Sequence, residues 1–170
     1  MAGLLEKIRF LAATVHQGQS YGDKPYLYHL MYVESVLERF GFDHERLRAA
    51  AWLHDSVEDT ALTVDEVCDL AGPEVAEIVE KVTDKEGKNR RERHEKTYPS
   101  IGDCPDATAV KLADRIANVE NCILDSQTGL ASMYRDEHDR FREMVCRNRE
   151  QFRPMWDHLD NLFEIVKGRA

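Results

Sequence analysis

Trp52-Leu53-His54-Asp55-Ser56-Val57-Glu58-Asp59-Thr60 sets four polar groups, His54, Asp55, Glu58 and Asp59, within six positions of what otherwise reads as a buried helix. An unpaired imidazole or carboxylate taken out of water loses its hydration and gains nothing in exchange. The cluster therefore asks for a cation or for chemistry. Val110-Lys111-Leu112-Ala113-Asp114-Arg115-Ile116-Ala117-Asn118 repeats the pattern farther along the chain, and together the two stretches point to metal-centred hydrolysis.

Outward from these clusters, apolar spacing near 3.6 residues dominates, strand-like alternation is scarce, and turn signals fall between long periodic segments. The expected fold class is all-α. A first helix is predicted from Leu4 to His16, with Leu4, Ile8, Leu11 and Val15 on one stripe. Pro25 suits the opening of a second helix carrying His29, Val33, Val36 and Phe40, and Gly41 closes it. Asp43 suits the cap of a third, which runs through His54 and Asp55. Thr63 and Glu66 match a capping box for a short helix ending near Gly72, and Pro73 starts the next, to Val82. A loop over Ser100 to Pro105 precedes the Asp114 helix, and two amphipathic helices follow, Ala131 to Asn148 and Pro154 to Val166.

At 170 residues, with 42% hydrophobic side chains, the chain can bury one sizeable core, so residues 1–170 are expected to form a single domain. No apolar run approaches the roughly 20 residues needed to cross a bilayer, and the start, Met1 to Arg9, gains charge too early for a signal peptide. The expectation is a cytoplasmic protein without a membrane partner. A formal net charge of -9 repels polyanions and weighs against a nucleic-acid polymer as partner. Cys68, Cys104, Cys122 and Cys146 form no C-x-x-C and read as reduced packing thiols.

His54 shares a helical stripe with Leu47, Ala50 and Ala51, Asp114 lies among Val110, Ala113 and Ala117, and His29 relates in the same way to Val33 and Val36. Three helices thus each point a donor inward. A lone core histidine is ordinarily just hydrogen-bonded, but His29, His54, Asp55 and Asp114 in conjunction make a mixed nitrogen and oxygen set for one divalent ion. Manganese fits that set best, although ligand type separates it only weakly from iron or cobalt. The stretch Lys85 to Lys96 carries six cationic against three acidic side chains and reads either as a solvated helix face or as a phosphate contact.

His29, the His54-Asp55 doublet and Asp114 together resemble the pattern of the HD phosphohydrolase superfamily. His54-Asp55-Ser56-Val57-Glu58-Asp59-Thr60, Val110 to Arg115, His16-Gln17-Gly18-Gln19 and Pro25-Tyr26 resemble more narrowly the hydrolase domain of the RelA/SpoT-type alarmone enzymes and their free-standing small relatives. The resemblance implies a compact multi-helix HD-domain bundle and one manganese ion on His29, His54, Asp55 and Asp114, with Glu58 and Asp59 as catalytic groups. It further implies Asn118 as a nucleotide contact, a cation near the entrance meeting phosphate, and removal of the 3′-pyrophosphate of a (p)ppGpp-like alarmone. Lys24, Lys88, Arg90 and Arg91 are the candidate phosphate contacts.

The chain departs from that pattern at three places: Tyr21 stands where the group has an arginine that stacks on guanine, the entrance loop is one residue shorter, and Leu30 follows the first histidine in place of proline. Tyr21 is then a candidate to stack on a purine, and base preference stays open between guanine and adenine alarmones. A nucleotidase or phosphodiesterase acting on another phosphorylated nucleotide, and a non-catalytic nucleotide-sensing module, are the rival readings. Oligomerisation through the last two helices is an open alternative.

Overall fold

The computed structural model describes residues 3–169; Met1, Ala2 and Ala170 lie outside it. The described residues are helical almost throughout: α1 (Leu4–Val15), α2 (Leu27–Arg39), α3 (Glu45–Leu53), α4 (Ser56–Asp59), α5 (Val64–Ala71), α6 (Pro73–Val82), α7 (Arg90–Asp103), α8 (Pro105–Leu124), α9 (Thr128–Asp136), α10 (His138–Val145) and α11 (Arg153–Arg169), with a 3-10 turn at Glu150–Phe152. Two residue pairs, β1 (Ser20–Tyr21) and β2 (Lys24–Pro25), make a small antiparallel hairpin between α1 and α2. The all-α expectation holds, and no helix among the described residues is long and apolar enough to cross a membrane.

Helix α8 is the axis of the bundle. It touches α2, α3, α6, α7, α9 and α11, and Val110, Leu112, Ala113, Ile116 and Ala117 on it are fully buried. Burying each large aliphatic side chain there contributes about 1.5–3 kcal/mol. The same burial forces the polar side chains that interrupt this apolar surface into the interior, where they must be paired.

The capping box is present as read: the Glu66 amide donates to Thr63 Oγ1 at 3.3 Å and the Thr63 amide to Glu66 Oε2 at 2.9 Å. Other boundaries differ from expectation. Pro25 sits in β2 opposite Ser20, because the chain first turns through the hairpin, and α2 opens only at Leu27. His44, not Asp43, precedes α3, and it makes no side-chain cap bond. The loop expected over Ser100 to Pro105 shrinks to Cys104, since α7 continues through Pro99 with Tyr98 and Ile101 buried on its inner face. The helix expected over Ala131 to Asn148 is broken at Glu137, whose carboxylate is held by Arg90 and Arg115.

The largest departure falls on the opening motif. Helix α3 stops at Leu53, Asp55 adopts φ -100° and ψ -5°, and a separate turn, α4, begins at Ser56. Consecutive residues in an unbroken helix point about 100° apart. The break lets His54 and Asp55 face the same point, at the sparsely populated backbone angles where active-site residues often sit.

Candidate metal centre and active site

Four segments deliver donors to one point: α2 brings His29, the end of α3 brings His54, the α3–α4 junction brings Asp55, and α8 brings Asp114. His29 Nε2 lies 3.3 Å from His54 Nε2, 3.6 Å from Asp55 Oδ2 and 3.4 Å from Asp114 Oδ1. His54 Nε2 lies 3.0 Å from Asp55 Oδ2 and 3.8 Å from Asp114 Oδ1. A cation about 2.0–2.2 Å from each nitrogen and oxygen ligand would hold neighbouring ligands roughly 3–3.5 Å apart. His29, His54 and Asp55 form a set whose ligand atoms all lie within 4.8 Å of one another, and Asp114 adjoins that set through His29 and His54.

The protonation pattern fits as well. The Nδ1–H of His54 donates to the Ala51 carbonyl at 2.8 Å, which turns the lone pair of Nε2 toward the cluster. Burial disfavours a charged imidazole, yet hydrogen bonds and charge from Asp114 and Asp55 push His29 up to about 9, and Asp55 raises His54 too. The centre thus attracts positive charge strongly enough to override burial. Burial opposes ionisation of Asp55 and Asp114, but the imidazoles hold Asp55 well below the usual carboxylate range, and Lys111 with His29 does the same for Asp114.

A second layer of side chains fixes the first. Lys111 Nζ sits 2.9 Å from Asp114 Oδ2, and its pKa is raised because Asp114 outweighs the cost of burial. Asn118 Nδ2 donates to Asp114 Oδ1, and Tyr21 Oη donates to Asn118 Oδ1 at 2.7 Å. Tyr26 Oη donates to Asp55 Oδ2 and lies 3.4 Å from Asp59 Oδ2.

The centre opens into a polar cavity of about 200 Å³. Tyr21, Glu58, Arg90 and Asn118 line it along with His29, Asp55 and Asp114, whereas His54 is sealed beneath. Glu58 accepts the Asp84 amide at 3.1 Å, and its carboxyl is pushed up by burial and by the nearby Asp84 and Asp55. Asp59 stands beside Tyr26 and is raised by burial and by Asp55. Glu58 lines the cavity and Asp59 does not; a raised carboxyl at a cavity wall is suited to proton transfer.

The remaining sequence candidates are scattered. Lys24 reaches away to Asp125 at 2.6 Å and the Tyr28 ring. Lys88 lines an adjoining groove that shares Glu58 and Asp84 with the cavity. Arg91 is exposed and paired with Glu95, so it does not line the cavity. Sequence reading passed over Lys111, Arg115, His94, Tyr98, Tyr134 and Tyr26, all of which do. The signal for Lys111 and Arg115 was present, as cations embedded in a buried stripe; Tyr134, on a short amphipathic helix, carried none. His94 is pushed down to about 3 by burial and by Arg90, so it lines the cavity as a neutral imidazole.

The chain is similar to several known proteins. The guanosine-3′,5′-bis(diphosphate) 3′-pyrophosphohydrolase MESH1 of Danio rerio is 37% identical over 126 residues, covering 71% of this chain and 69% of that protein. Its Drosophila melanogaster counterpart is 32% identical over 143 residues, covering 81% and 79%. The protein of Aquifex aeolicus named guanosine-3′,5′-bis(diphosphate) 3′-pyrophosphohydrolase is 37% identical over 102 residues, of which this chain spans only 14% of the length. A solved structure, described as a metazoan ortholog of SpoT that hydrolyzes ppGpp, superposes with a TM-score of 0.73 over 97% of this chain and 96% of that one, at 24% identity, and so shares the fold. Residues 8–136 match the family described as HD domain, and on that match the chain belongs to the HD-domain family.

Proposed function

We propose that this chain is a metal-dependent phosphohydrolase that removes the 3′-pyrophosphate of a (p)ppGpp-like nucleotide, with His29, His54, Asp55 and Asp114 holding one divalent ion. The observation that carries this reading is the set of His29, His54 and Asp55, with Asp114 3.4 Å from His29 and 3.8 Å from His54, on the floor of a cation-lined cavity. The curated relatives named for the same reaction support it. Manganese is the ion we assign, on the mixed nitrogen and oxygen donor set.

When bound, such an ion supplies Lewis acidity and lowers the pKa of water at the site. Lys111 and Asn118 hold Asp114 in place, and Tyr26 holds Asp55. Glu58, at the cavity wall, orients the attacking water and takes its proton; Asp59, beside Tyr26 and outside the cavity lining, returns a proton to the departing 3′-oxygen. Attack on the inner phosphorus breaks the bond to the ribose 3′-oxygen, giving a free 3′-hydroxyl and pyrophosphate.

Product identification after incubation with guanine and adenine 3′-pyrophosphorylated nucleotides, with metal-free protein as control, tests the reaction and base preference together. Pyrophosphate release is expected only with metal. Asp59→Asn should bind metal and nucleotide nearly normally and lose turnover, whereas Asp55→Ala should lose metal. Full activity in both variants would refute the assigned mechanism, and nucleotide binding without release would favour a sensor.

A further inference from the structure

At the wall formed by α7 and the α9–α10 junction, two guanidinium groups share one carboxylate. Arg115, 3% exposed, is held on both ends of its fork: Nη1 donates to Glu137 Oε2 at 3.1 Å, Nη2 donates to Tyr98 Oη at 2.8 Å, and the rings of Tyr134 and Phe141 lie 4.8 and 4.6 Å from its centre. Glu137 grips Arg90 along one edge, taking Nε at 2.7 Å and Nη2 at 3.3 Å. Nη1 of Arg90 donates to no described residue, and Arg90 lines the same cavity as the metal ligands. The cluster therefore carries one positive charge more than it neutralises, next to the cavity that the His29, Asp55 and Asp114 side chains also line.

We propose that Arg90, aimed by Glu137 and backed by Arg115, binds the outer phosphate of the substrate's 3′-diphosphate and so selects a diphosphoryl over a monophosphoryl ester. The inference rests on the phosphohydrolase reading above, in which the inner phosphorus sits at the four donors. The outer phosphate takes no part in bond breaking. It needs a separate cation, and a guanidinium fork with a free edge matches the planar arrangement of two phosphate oxygens.

The test compares a nucleoside 3′-diphosphate with the corresponding 3′-monophosphate, together with calorimetric titration of inorganic pyrophosphate and orthophosphate into manganese-loaded protein. Arg90→Gln should lower kcat/KM for the diphosphate ester about ten- to a hundredfold more than for the monophosphate ester. Pyrophosphate binding should weaken by a similar factor relative to orthophosphate. Arg90→Lys should recover only part of the loss, and Glu137→Gln should raise KM for the diphosphate ester with little change in kcat. Arg91→Gln, one residue along on the exposed face, should leave the wild-type ratio intact. Equal losses on both esters and both inorganic anions would overturn the subsite. Absence of turnover by the wild type with pyrophosphate preference retained would instead refute the phosphohydrolase reading and leave the subsite standing.

Discussion

Tyr21 stacks on His29, ring centroids 4.8 Å apart and planes 20° from parallel. The Nδ1 atom of His29 is buried and has no hydrogen-bond partner among the described residues, so the ring is held by an aromatic face rather than by a hydrogen bond at that nitrogen. Tyr21 also spends its hydroxyl on Asn118, which in turn holds Asp114. One side chain thereby steadies two of the proposed ligands, His29 and Asp114. The sequence expectation of Tyr21 as a platform for a purine must share the residue with this role.

Tyr21→Ala should accordingly weaken metal affinity about tenfold, in the range seen when outer-shell supports of a metal site are removed. Tyr21→Phe, which keeps the stack and loses only the hydroxyl, should weaken it less. Competition titration with a fluorescent chelator reads both; unchanged affinity in Tyr21→Ala would rule out the supporting role.

Metal should also stabilise the fold, because the donors come from segments far apart in the chain and converge only when it is folded. At a hundredfold excess over the dissociation constant the gain is about 2.7 kcal/mol, which raises the melting temperature roughly 5–10 °C for a chain of this size. Asp55→Ala should melt at the same temperature with and without manganese. A metal-dependent shift in that variant would place the ion elsewhere.

Glu34 sits buried on α2 and accepts from Trp52 Nε1 at 2.7 Å, Arg48 Nε at 2.8 Å and Arg9 Nη2 at 2.7 Å. Burial alone would raise its pKa, but these donors outweigh burial and leave it lowered. A carboxylate depressed in the folded state stabilises fully above its unfolded pKa of about 4.3 and loses that contribution as pH falls through the folded value. Glu34→Gln should cost about 2 kcal/mol near neutral pH. The gap to wild type should close in urea titrations as the pH is lowered below about 4. A gap that persists at acid pH would show that the ion pairs are not its source.

Thr63→Ala removes the oxygen that caps α5, and it should cost about 1 kcal/mol. The urea midpoint reports it, with the slope unchanged. A shift of less than a few tenths of a kcal/mol would mean the Glu66 half of the box suffices alone.

The helical class, the capping box at Thr63 and the start of α6 at Pro73 were legible because each depends on local chemistry: periodicity, a hydroxyl three residues before a carboxylate, a ring that tolerates the first turn. So were the inward histidines and aspartates, since polar groups on an apolar stripe stand out without any knowledge of the fold. The failures share a cause. Pro99 inside α7 and the break at Glu137 look like errors of local propensity, yet α7 persists because its inner face is buried, and α9 ends where a carboxylate meets two arginines distant in sequence.

Sequence alone determined the inventory: an all-helical chain carrying two imidazoles and two carboxylates at positions that turn inward, since helical period and side-chain polarity are properties of neighbouring residues. Tertiary structure decided how that inventory meets. The break after Leu53 that swings Asp55 onto the same point as His54, the hairpin that lays Tyr21 against His29, and the pairing of Arg90 with Glu137 across 47 positions all arise from packing between remote segments. Such contacts leave no periodic trace in the chain, because their energy is gained only once the bundle has closed.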